Sequence, residues 1–310
     1  MTINRRFFIG GGLALGATAC IPPDLSPIGR LAAELRLIEA VVGGTLGVEL
    51  FNTLSGMAVG INRDQRFGMA STFKLSLAAL LLQRHAAGLV DADQRVTWSE
   101  AEMVPYAPFT RERIAVGASL RELARATQVT SDNPAANVLL RELGGPAALT
   151  AFWRSIGDDI SRLDRIEPEL NIVPPAEFRD TTTPAAMART VAKIVYGDVL
   201  PEAERAELKG WMIATETGLK RVRAGLPEGW IAGDKTGSSG LVGTEGNYND
   251  IGFAEGPKGE PPITFACYFR ARGPADTMPV RAELALSRIG KVIKEFAEPE
   301  RGLPLVGKVY

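Results

Sequence analysis

Residues 69–74 are Met-Ala-Ser-Thr-Phe-Lys, and they lead directly into the apolar run from Leu75 to Leu82. This stretch predicts a helix with Ser71 and Lys74 in its first turn, because residues three apart lie on one face of a helix. A serine is a weak nucleophile that needs an adjacent base, and a lysine can be that base if its neutral form is accessible. The pair therefore predicts a candidate nucleophile, although this spacing also occurs by chance.

Composition and net charge are those of a globular protein with small-molecule partners. The 310 residues are 45% hydrophobic, and 35 Lys and Arg nearly balance 36 Asp and Glu to give a net charge of -1. Such a balance disfavours nucleic acid and anionic membrane surfaces as partners. We therefore expect a monomer that acts on small molecules.

The first 19 residues are typical of an export signal. Arg5 and Arg6 precede a Gly-rich apolar run that ends at Ala19 and is too short to span a bilayer. The paired arginines favour a twin-arginine signal. Cleavage after Ala19 and lipid attachment at Cys20 both remain open. Either outcome predicts an exported, periplasmic protein with no integral membrane span in its mature form.

Cysteine and histidine are scarce in this chain. It has two cysteines, Cys20 and Cys267, and one histidine, His85. Two cysteines do not make a disulfide framework, and one histidine cannot by itself build a zinc site or a Ser-His-Asp relay. We therefore expect no metal and no cofactor, and we expect Cys267 to be a buried packing residue in a strand.

Strand patterns occur on both sides of a long helical block. The predicted strands are 45–54 and 56–62 before the block, and 230–236, 250–254 and 263–270 after it. Helical apolar spacing flanks them at 27–42 and at about 279–295. Two early strands cannot bury a face alone, so we expect all five to pair in one sheet.

The predicted fold is therefore α/β, with an antiparallel five-stranded sheet covered by the terminal helices and joined to an all-helical domain. Residues 27–70 and 213–310 are expected to form the discontinuous α/β domain, and residues 71–212 the all-α domain. The helices of the second domain are predicted at 119–127, 134–143, 146–156, 184–196 and 201–212, besides the one that carries Ser71. The active site is then expected at the junction, where clefts form.

Residues 161–180 interrupt the helical block and show neither helical nor strand periodicity. A loop of this length is usually functional or disordered. Ion pairs among its many charged side chains would make it an ordered Ω-type loop, whereas a solvated charged loop is the alternative. The composition of residues 161–180 does not distinguish an ordered Ω-type loop from a solvated charged loop.

Three short motifs could serve the serine. Ser131-Asp132-Asn133 comes directly before a predicted helix and can project a hydroxyl and an amide into a cleft. Lys235-Thr236-Gly237 lies on a predicted strand, where the lysine can meet a carboxylate and the glycine lets a ligand approach the backbone. In the loop, Glu167 and Asn171 can hold a water between them. Each motif is weak alone, but their joint occurrence is specific.

The ordered set of Ser-x-x-Lys, Ser-Asp-Asn and Lys-Thr-Gly motifs resembles the class A serine β-lactamases. The resemblance runs from the first helix to the last and includes Arg162-Leu163-Asp164-Arg165 before the loop glutamate and Asp180-Thr181-Thr182-Thr183-Pro184 after it. It implies an enzyme that hydrolyses the β-lactam amide of penicillins and cephalosporins through a serine acyl-enzyme and so confers β-lactam antibiotic resistance.

The resemblance also implies a role for each matching residue. Ser71 would be the nucleophile. Lys74 would activate it directly and Glu167 would activate it through a water, and which of the two is the main base in acylation is disputed for the family. Ser131 would pass a proton to the leaving ring nitrogen. The backbone N–H groups of Ser71 and Ser238 would form the oxyanion hole.

A further group would bind the substrate: Asn133, Lys235, Thr236, Gly237, Ser238, Arg221, Asn171 and Tyr106. The polar side chains of residues 235–238 would hold the substrate carboxylate, with Arg221 adding positive charge from a neighbouring strand. Asn133 would bind the side-chain amide of the substrate, and Tyr106 would form a wall of the entrance.

The loop glutamate distinguishes two kinds of protein in this superfamily. Related penicillin-binding proteins form the same serine ester but release β-lactams very slowly, whereas in class A enzymes Glu167 and Asn171 would position the attacking water. Arg165 and Asp180 match the pair that closes the neck of that loop. These matches favour a β-lactamase, and the alternatives are a D-alanyl-D-alanine peptidase or esterase and a non-catalytic lactam-binding sensor.

Some departures from the family pattern bear on substrate range. Ala70 and Ser239 stand where several carbapenem-hydrolysing relatives have a disulfide, so that bridge cannot form and carbapenems are disfavoured. Ser238 and Ser239 add two hydroxyls to the strand edge, which favours an extended cephalosporin spectrum. Residues 243–248 are expected to lengthen the turn after the Lys235 strand, and they have no mechanistic account.

Overall fold

The computed structural model describes residues 26–174, 176–239, 245–273 and 277–298. Its helices are α1 Pro27–Val42, α2 Phe73–Ala86, α3 Leu120–Val129, α4 Asn133–Glu142, α5 Gly145–Ser155, α6 Pro184–Tyr196, α7 Glu202–Ile213, α8 Val222–Gly225 and α9 Met278–Ala297. Its strands are β1 Gly44–Asn52, β2 Ala58–Ile61, β3 Phe67–Gly68, β4 Arg95–Val96, β5 Ala118–Ser119, β6 Thr181–Thr182, β7 Ile231–Ser238, β8 Glu245–Glu255 and β9 Ile263–Arg272. The predicted export signal and Cys20 lie outside the described residues.

One antiparallel sheet organises the fold, with the strand order β2-β1-β9-β8-β7. The two early strands and the three late ones thus join as the sequence predicts, and β9 lies in the centre. Along β9, Phe265 and Cys267 face one hydrophobic core while Ala266 and Tyr268 face the other. Both faces are therefore buried, which explains why this strand is an almost unbroken apolar run.

Helices cover the two faces of the sheet in separate groups. The terminal helices α1 and α9 pack on one face, in a core that includes Leu35 and Ile289. The helical block packs on the other face, in a larger core centred on the completely buried α2 residues Leu75 and Leu77. The predicted α/β class, five-stranded sheet and terminal-helix cover are confirmed. None of the helices within the described ranges is long and apolar enough to cross a membrane.

Several element bounds differ from those predicted. The region 71–212 is not purely helical, because it contains the two-residue strands β4, β5 and β6. The β8 strand begins at Glu245 instead of residue 250, and Tyr248 pairs with Ser238 of β7. The predicted turn extension at 243–248 is therefore partly strand, and residues 243 and 244 lie outside the described residues. Pairing with strands on both sides overrides the weak strand propensity of the Gly and Asn residues here.

Candidate active site

The candidate nucleophile lies in a tight turn that joins the sheet to α2. Ser71 belongs to the 3-10 turn Ala70–Thr72, and the α-helix begins only at Phe73, so the prediction that it lies on the helix proper is wrong by one turn. Ala70 precedes it with a φ of 44°, in the left-handed region that residues other than glycine rarely adopt. Backbone strain of this kind persists only where the surroundings enforce it.

Lys74 connects the serine to the rest of the site. Its side chain is completely buried, and Nζ donates to Ser71 Oγ at 2.9 Å, to the Ser131 carbonyl oxygen at 2.9 Å and to Asn133 Oδ1 at 2.5 Å. Glu167 Oε1 lies 3.1 Å from the same nitrogen. The predicted Ser–Lys contact is therefore present in the structure, and the lysine is held by groups from three separate segments.

Burial changes the acid–base behaviour of Lys74. Desolvation lowers its pKa, and the carboxylates of Glu167 and Asp132 partly oppose that shift. The neutral amine is thus more accessible than that of an ordinary surface lysine, while the ion pair keeps the charged form compatible with burial. Lys74 can both hold and release a proton beside the serine hydroxyl.

The Ser131 loop is fixed by an aspartate that sequence reasoning did not assign. Asp132 caps α4 by accepting from Ala135 N at 2.8 Å, and it also accepts from Thr110 Oγ1 at 2.9 Å. Ser131 itself has a φ of 63°. A buried cap that also ties down a neighbouring loop can hold such a conformation, and an Asp before an N-terminal proline is the sequence signal for it.

Ser131 lies between two buried lysines. Lys235 Nζ donates to Ser131 Oγ at 3.0 Å, and Lys74 Nζ lies 3.4 Å from the same oxygen. Burial lowers the pKa of Lys235 well below its ordinary value, and the positive charge of Lys74 lowers it further. The hydroxyl of Ser131 is therefore placed to exchange protons with either amine.

Glu167 is held on its backbone and on its side chain. Asn137 of α4 accepts from Glu167 N at 2.9 Å and donates to the Glu167 carbonyl oxygen at 2.9 Å. Asn171 Nδ2 donates to Glu167 Oε2 at 2.6 Å, and Ser71 Oγ lies 3.4 Å from Oε1. Sequence reasoning missed Asn137, because a single amide in the middle of a helix carries no motif.

The loop that carries Glu167 is closed at its neck. Asp180 is completely buried and accepts from Arg165 Nε at 2.5 Å, from Arg165 N at 3.0 Å and from Asp164 N at 2.7 Å. The Asp180 carbonyl oxygen also accepts from Met69 N at 3.0 Å, two residues before the nucleophile. The expected Arg165–Asp180 pair is present.

Removing the neck carboxylate should loosen this loop. We expect Asp180→Ala to lower the free energy of unfolding by about 3 kcal/mol, because it leaves Arg165 and two backbone N–H groups without their partner. Denaturant unfolding measures this loss. The matched control is Glu177→Ala, which removes a half-buried carboxylate paired with the exposed Arg179 in the same loop and should cause a much smaller loss. Equal stability of the two variants would contradict the proposed neck.

The opposite end of the cleft is positively charged. Arg221 donates through Nη2 to Ser238 Oγ at 2.6 Å and through Nη1 to the Gly237 carbonyl oxygen at 3.0 Å. It lies directly before the short helix α8 and not on a strand, so that part of the prediction is wrong. Thr236 Oγ1 lies 2.6 Å from Thr217 Oγ1, a residue that carried no sequence signal.

Gly237 is required for a second reason besides the one predicted. A Cβ at this position would lie 2.8 Å from the Met69 carbonyl oxygen and 3.2 Å from Ser71 N. The absent side chain therefore lets β7 pack against the nucleophile turn, and not only lets a ligand approach. This contact places the end of β7 beside the backbone N–H of Ser71.

The entrance residues are also near the centre. Asn133 N donates to the Tyr106 carbonyl oxygen at 3.0 Å, and Asn133 Nδ2 donates to the Pro105 carbonyl oxygen at 2.9 Å. Tyr106 is 57% exposed, and its role as a wall of the entrance stays a prediction. The structure thus brings the predicted site residues close together, where β7, the nucleophile turn and the loop that carries Glu167 meet.

Comparison with known proteins gives a consistent family match. A model of the β-lactamase enzyme family matches residues 30–297. Beta-lactamase FAR-1 of Nocardia farcinica is 49% identical over 74% of this chain and 72% of its own length. Beta-lactamase L2 of Stenotrophomonas maltophilia is 41% identical over 87% of this chain and 92% of its own length. A solved structure of an ancestral class A β-lactamase of Gram-negative bacteria is 43% identical, covers 86% of this chain and 99% of its own, and has a TM-score of 0.80.

Proposed function

This chain is a member of the class A β-lactamases, and we propose that it opens the lactam ring through an ester on Ser71 that a Glu167-activated water hydrolyses. Its reaction is hydrolysis of the β-lactam amide, which confers resistance to β-lactam antibiotics. The observation that supports the serine route is one buried network, in which Lys74 Nζ lies 2.9 Å from Ser71 Oγ and 3.1 Å from Glu167 Oε1.

Acylation begins with a proton transfer inside this network. Lys74 gives a proton to Glu167 across their 3.1 Å contact, and the neutral amine then takes the proton of Ser71 as Oγ attacks the lactam carbonyl carbon. The direct Glu167–Ser71 contact of 3.4 Å is long for a hydroxyl hydrogen bond, which favours the lysine as the immediate base. The backbone N–H groups of Ser71 and Ser238 stabilise the oxyanion.

Cleavage of the amide needs a proton on the ring nitrogen. Ser131 Oγ donates its own proton to that nitrogen and receives the one that Lys74 took from Ser71, so no net charge is left behind. The contacts of Ser131 Oγ with Lys235 at 3.0 Å and with Lys74 at 3.4 Å support this route. The C–N bond breaks and Ser71 carries the acyl group.

Deacylation depends on the loop. Glu167 first returns the proton it took to the neutral Lys74 and is ionised again. It then removes a proton from a water held against Asn171, the resulting hydroxide attacks the ester carbonyl, and Ser71 leaves as an alkoxide that takes this proton from Glu167. The 2.6 Å bond from Asn171 Nδ2 fixes the carboxylate, and the hold of Asn137 on the glutamate backbone fixes its position along the loop. A protein that lacked this carboxylate would stop at the ester.

Substrate recognition follows the charge of the cleft. Lys235, Thr236 and Ser238 bind the carboxylate that penicillins and cephalosporins share, and Arg221 adds a positive charge beside Ser238. Asn133 binds the side-chain amide, and Tyr106 borders the entrance. We also propose that the protein works as an exported periplasmic monomer, with the export signal of residues 1–19 or a lipid at Cys20 deciding its attachment.

A substrate panel tests the proposed function. Wild-type protein should hydrolyse a penicillin and a chromogenic cephalosporin at rates that a chelator does not change, and Ser71→Ala should hydrolyse neither. A D-alanyl-D-alanine ester should be turned over far more slowly than the cephalosporin. Turnover of that ester without hydrolysis of either lactam would contradict the proposal.

The pH dependence of acylation tests which group is the base. Burial lowers the pKa of Lys74, and the Glu167 carboxylate raises it again, so Glu167→Gln should lower that pKa further. Acylation that depends on the neutral amine is lost as pH falls through this pKa. We therefore expect the acid limb of the single-turnover acylation rate to move to lower pH in Glu167→Gln. A rate that falls at every pH without such a shift would make Glu167 the base.

A further inference from the structure

The side chain of Asn249 contacts the backbone just before the nucleophile turn, and none of the steps above uses it. It lies on β8 and is buried. Its Nδ2 atom donates to the Gly68 carbonyl oxygen at 2.9 Å and to the Met69 carbonyl oxygen at 3.0 Å. One amide therefore ties two consecutive carbonyl groups to the interior of the sheet.

Strand register places Asn249 beside the point where β7 meets the same turn. Asn249 is the direct partner of Gly237 in the β7–β8 pair, and directly opposed residues in a sheet extend to the same face. On that face Gly237 has no side chain, and a Cβ there would lie 2.8 Å from the Met69 carbonyl oxygen. Gly237 thus makes room for the turn, and Asn249 binds it from the adjacent strand.

The turn that Asn249 holds is strained. Ala70 has a φ of 44°, which costs free energy for a residue with a Cβ. The Met69 carbonyl oxygen also accepts from Thr72 Oγ1 at 2.8 Å, so it is fixed on both sides of that strained residue. If the peptide before Ala70 were released, the turn could relax and the backbone N–H of Ser71 would change direction.

The hydrogen bonding of this amide indicates a purpose beyond packing. Asn249 Oδ1 is buried and has no partner among the residues that the structure describes. A buried acceptor without a partner destabilises a fold, and an apolar side chain of the same size would avoid that cost. Compared with an apolar side chain of the same size, the amide of Asn249 therefore contributes only the two hydrogen bonds from Nδ2.

We propose that Asn249 is a positioning residue for the oxyanion hole. By binding the Gly68 and Met69 carbonyl oxygens it keeps Ala70 in its strained conformation and so keeps the Ser71 N–H aimed at the oxygen of the lactam carbonyl. The inference rests on the proposed Ser71 ester. Its effect should appear in transition-state stabilisation and not in the initial binding of substrate.

Two variants of similar volume and one control test this proposal. Asn249→Leu removes both donors, and Asn249→Asp replaces them with oxygens that face two carbonyl oxygens. The control is Thr264→Val on β9, which removes a completely buried 2.9 Å bond from Thr264 Oγ1 to the Ala188 carbonyl oxygen, away from the nucleophile turn. The Tm of each variant is compared with that of wild type. Single-turnover kinetics give the substrate dissociation constant and the acylation rate. The affinity for a boronic acid that forms a tetrahedral adduct is measured as well.

We expect both Asn249 variants to acylate about 10- to 100-fold more slowly and to bind the boronic acid correspondingly more weakly, with the substrate dissociation constant within about twofold of wild type. Thr264→Val should have a lower Tm than wild type and an unchanged acylation rate. If either Asn249 variant has a lower Tm but keeps its acylation rate and boronate affinity within about twofold of wild type, Asn249 has only a structural role. That result would overturn this inference and leave the proposed function unaffected. If wild-type protein forms no ester on Ser71, the proposed function fails and the inference with it.

Discussion

Glu167→Ala is expected to turn the enzyme into a protein that is acylated and then stops. Mixed with a chromogenic cephalosporin, it should release a burst equal to the enzyme concentration and then turn over about 10² to 10⁴-fold more slowly than wild type, the usual contribution of a general base. The reason is that Lys74 still contacts Ser71 at 2.9 Å and, without the carboxylate that raises its pKa, becomes neutral without a transfer to Glu167, whereas the carboxylate that activates the water is gone. Stopped-flow absorbance measures both phases.

Glu169→Ala is the matched control for this result. Glu169 lies two residues further along the same loop, and its side chain is exposed. Its removal changes the loop charge by the same amount without touching the buried network, so the steady rate should stay close to that of wild type. Normal turnover by Glu167→Ala would remove the proposed water-activating role, and a slow phase in both variants would point to loop charge instead.

Substitution by arginine should slow acylation much more at Lys74 than at Lys235, the second buried lysine. Lys74→Arg keeps a positive charge beside Glu167, but a guanidinium does not release its proton in proteins, so it cannot accept one from Ser71. We expect acylation to slow by about 10² to 10⁴-fold. Lys235→Arg keeps the charge that a substrate carboxylate needs, and its acylation rate should fall by no more than about tenfold.

Single-turnover acylation with a penicillin measures both variants, and each lysine is the control for the other. Both side chains are completely buried, so the cost of fitting a larger guanidinium is similar at the two positions. Tm measurements show whether that cost is equal. If Lys74→Arg and Lys235→Arg slowed acylation by the same factor, loss of packing and not loss of a base would explain the result.

Much of the fold could be predicted because local signals and burial agree along most of the chain. The bounds of α1 and α6 match the predicted helices, since Pro lies in the first turn of both and apolar spacing is regular. The sheet could be predicted because β9 is apolar on both faces and two early strands needed partners. Short strands such as β4 and β5 could not, because two residues are too few to show a period.

The site residues that belong to sequence motifs could be predicted. The isolated residues that support them could not. Ser71, Lys74 and Glu167 belong to recognisable local patterns, and the structure places them in one network. Asn137 contacts the Glu167 backbone and Asn249 contacts the backbone before Ser71, and both contacts arise only through the tertiary fold. Nothing in their neighbouring residues distinguishes them from ordinary polar positions, so the sequence alone cannot identify them.

One correction and one addition have the same physical origin. Arg221 was expected on a strand, but it lies before α8, where it donates to the Gly237 carbonyl oxygen. Gly237 was expected to admit a ligand, and its missing Cβ also admits the nucleophile turn. In both cases the sequence indicated the right residue for the site, while its environment depended on how β7 packs against segments far away in the chain.

The residue that carries the acyl group can be located by mass spectrometry. Protein mixed with a slowly hydrolysed cephalosporin is quenched in acid, digested and analysed by mass spectrometry. We expect an acyl increment on the peptide that contains Ser71, with none in Ser71→Ala. Turnover without any covalent adduct, or an increment located on a different residue, would contradict it.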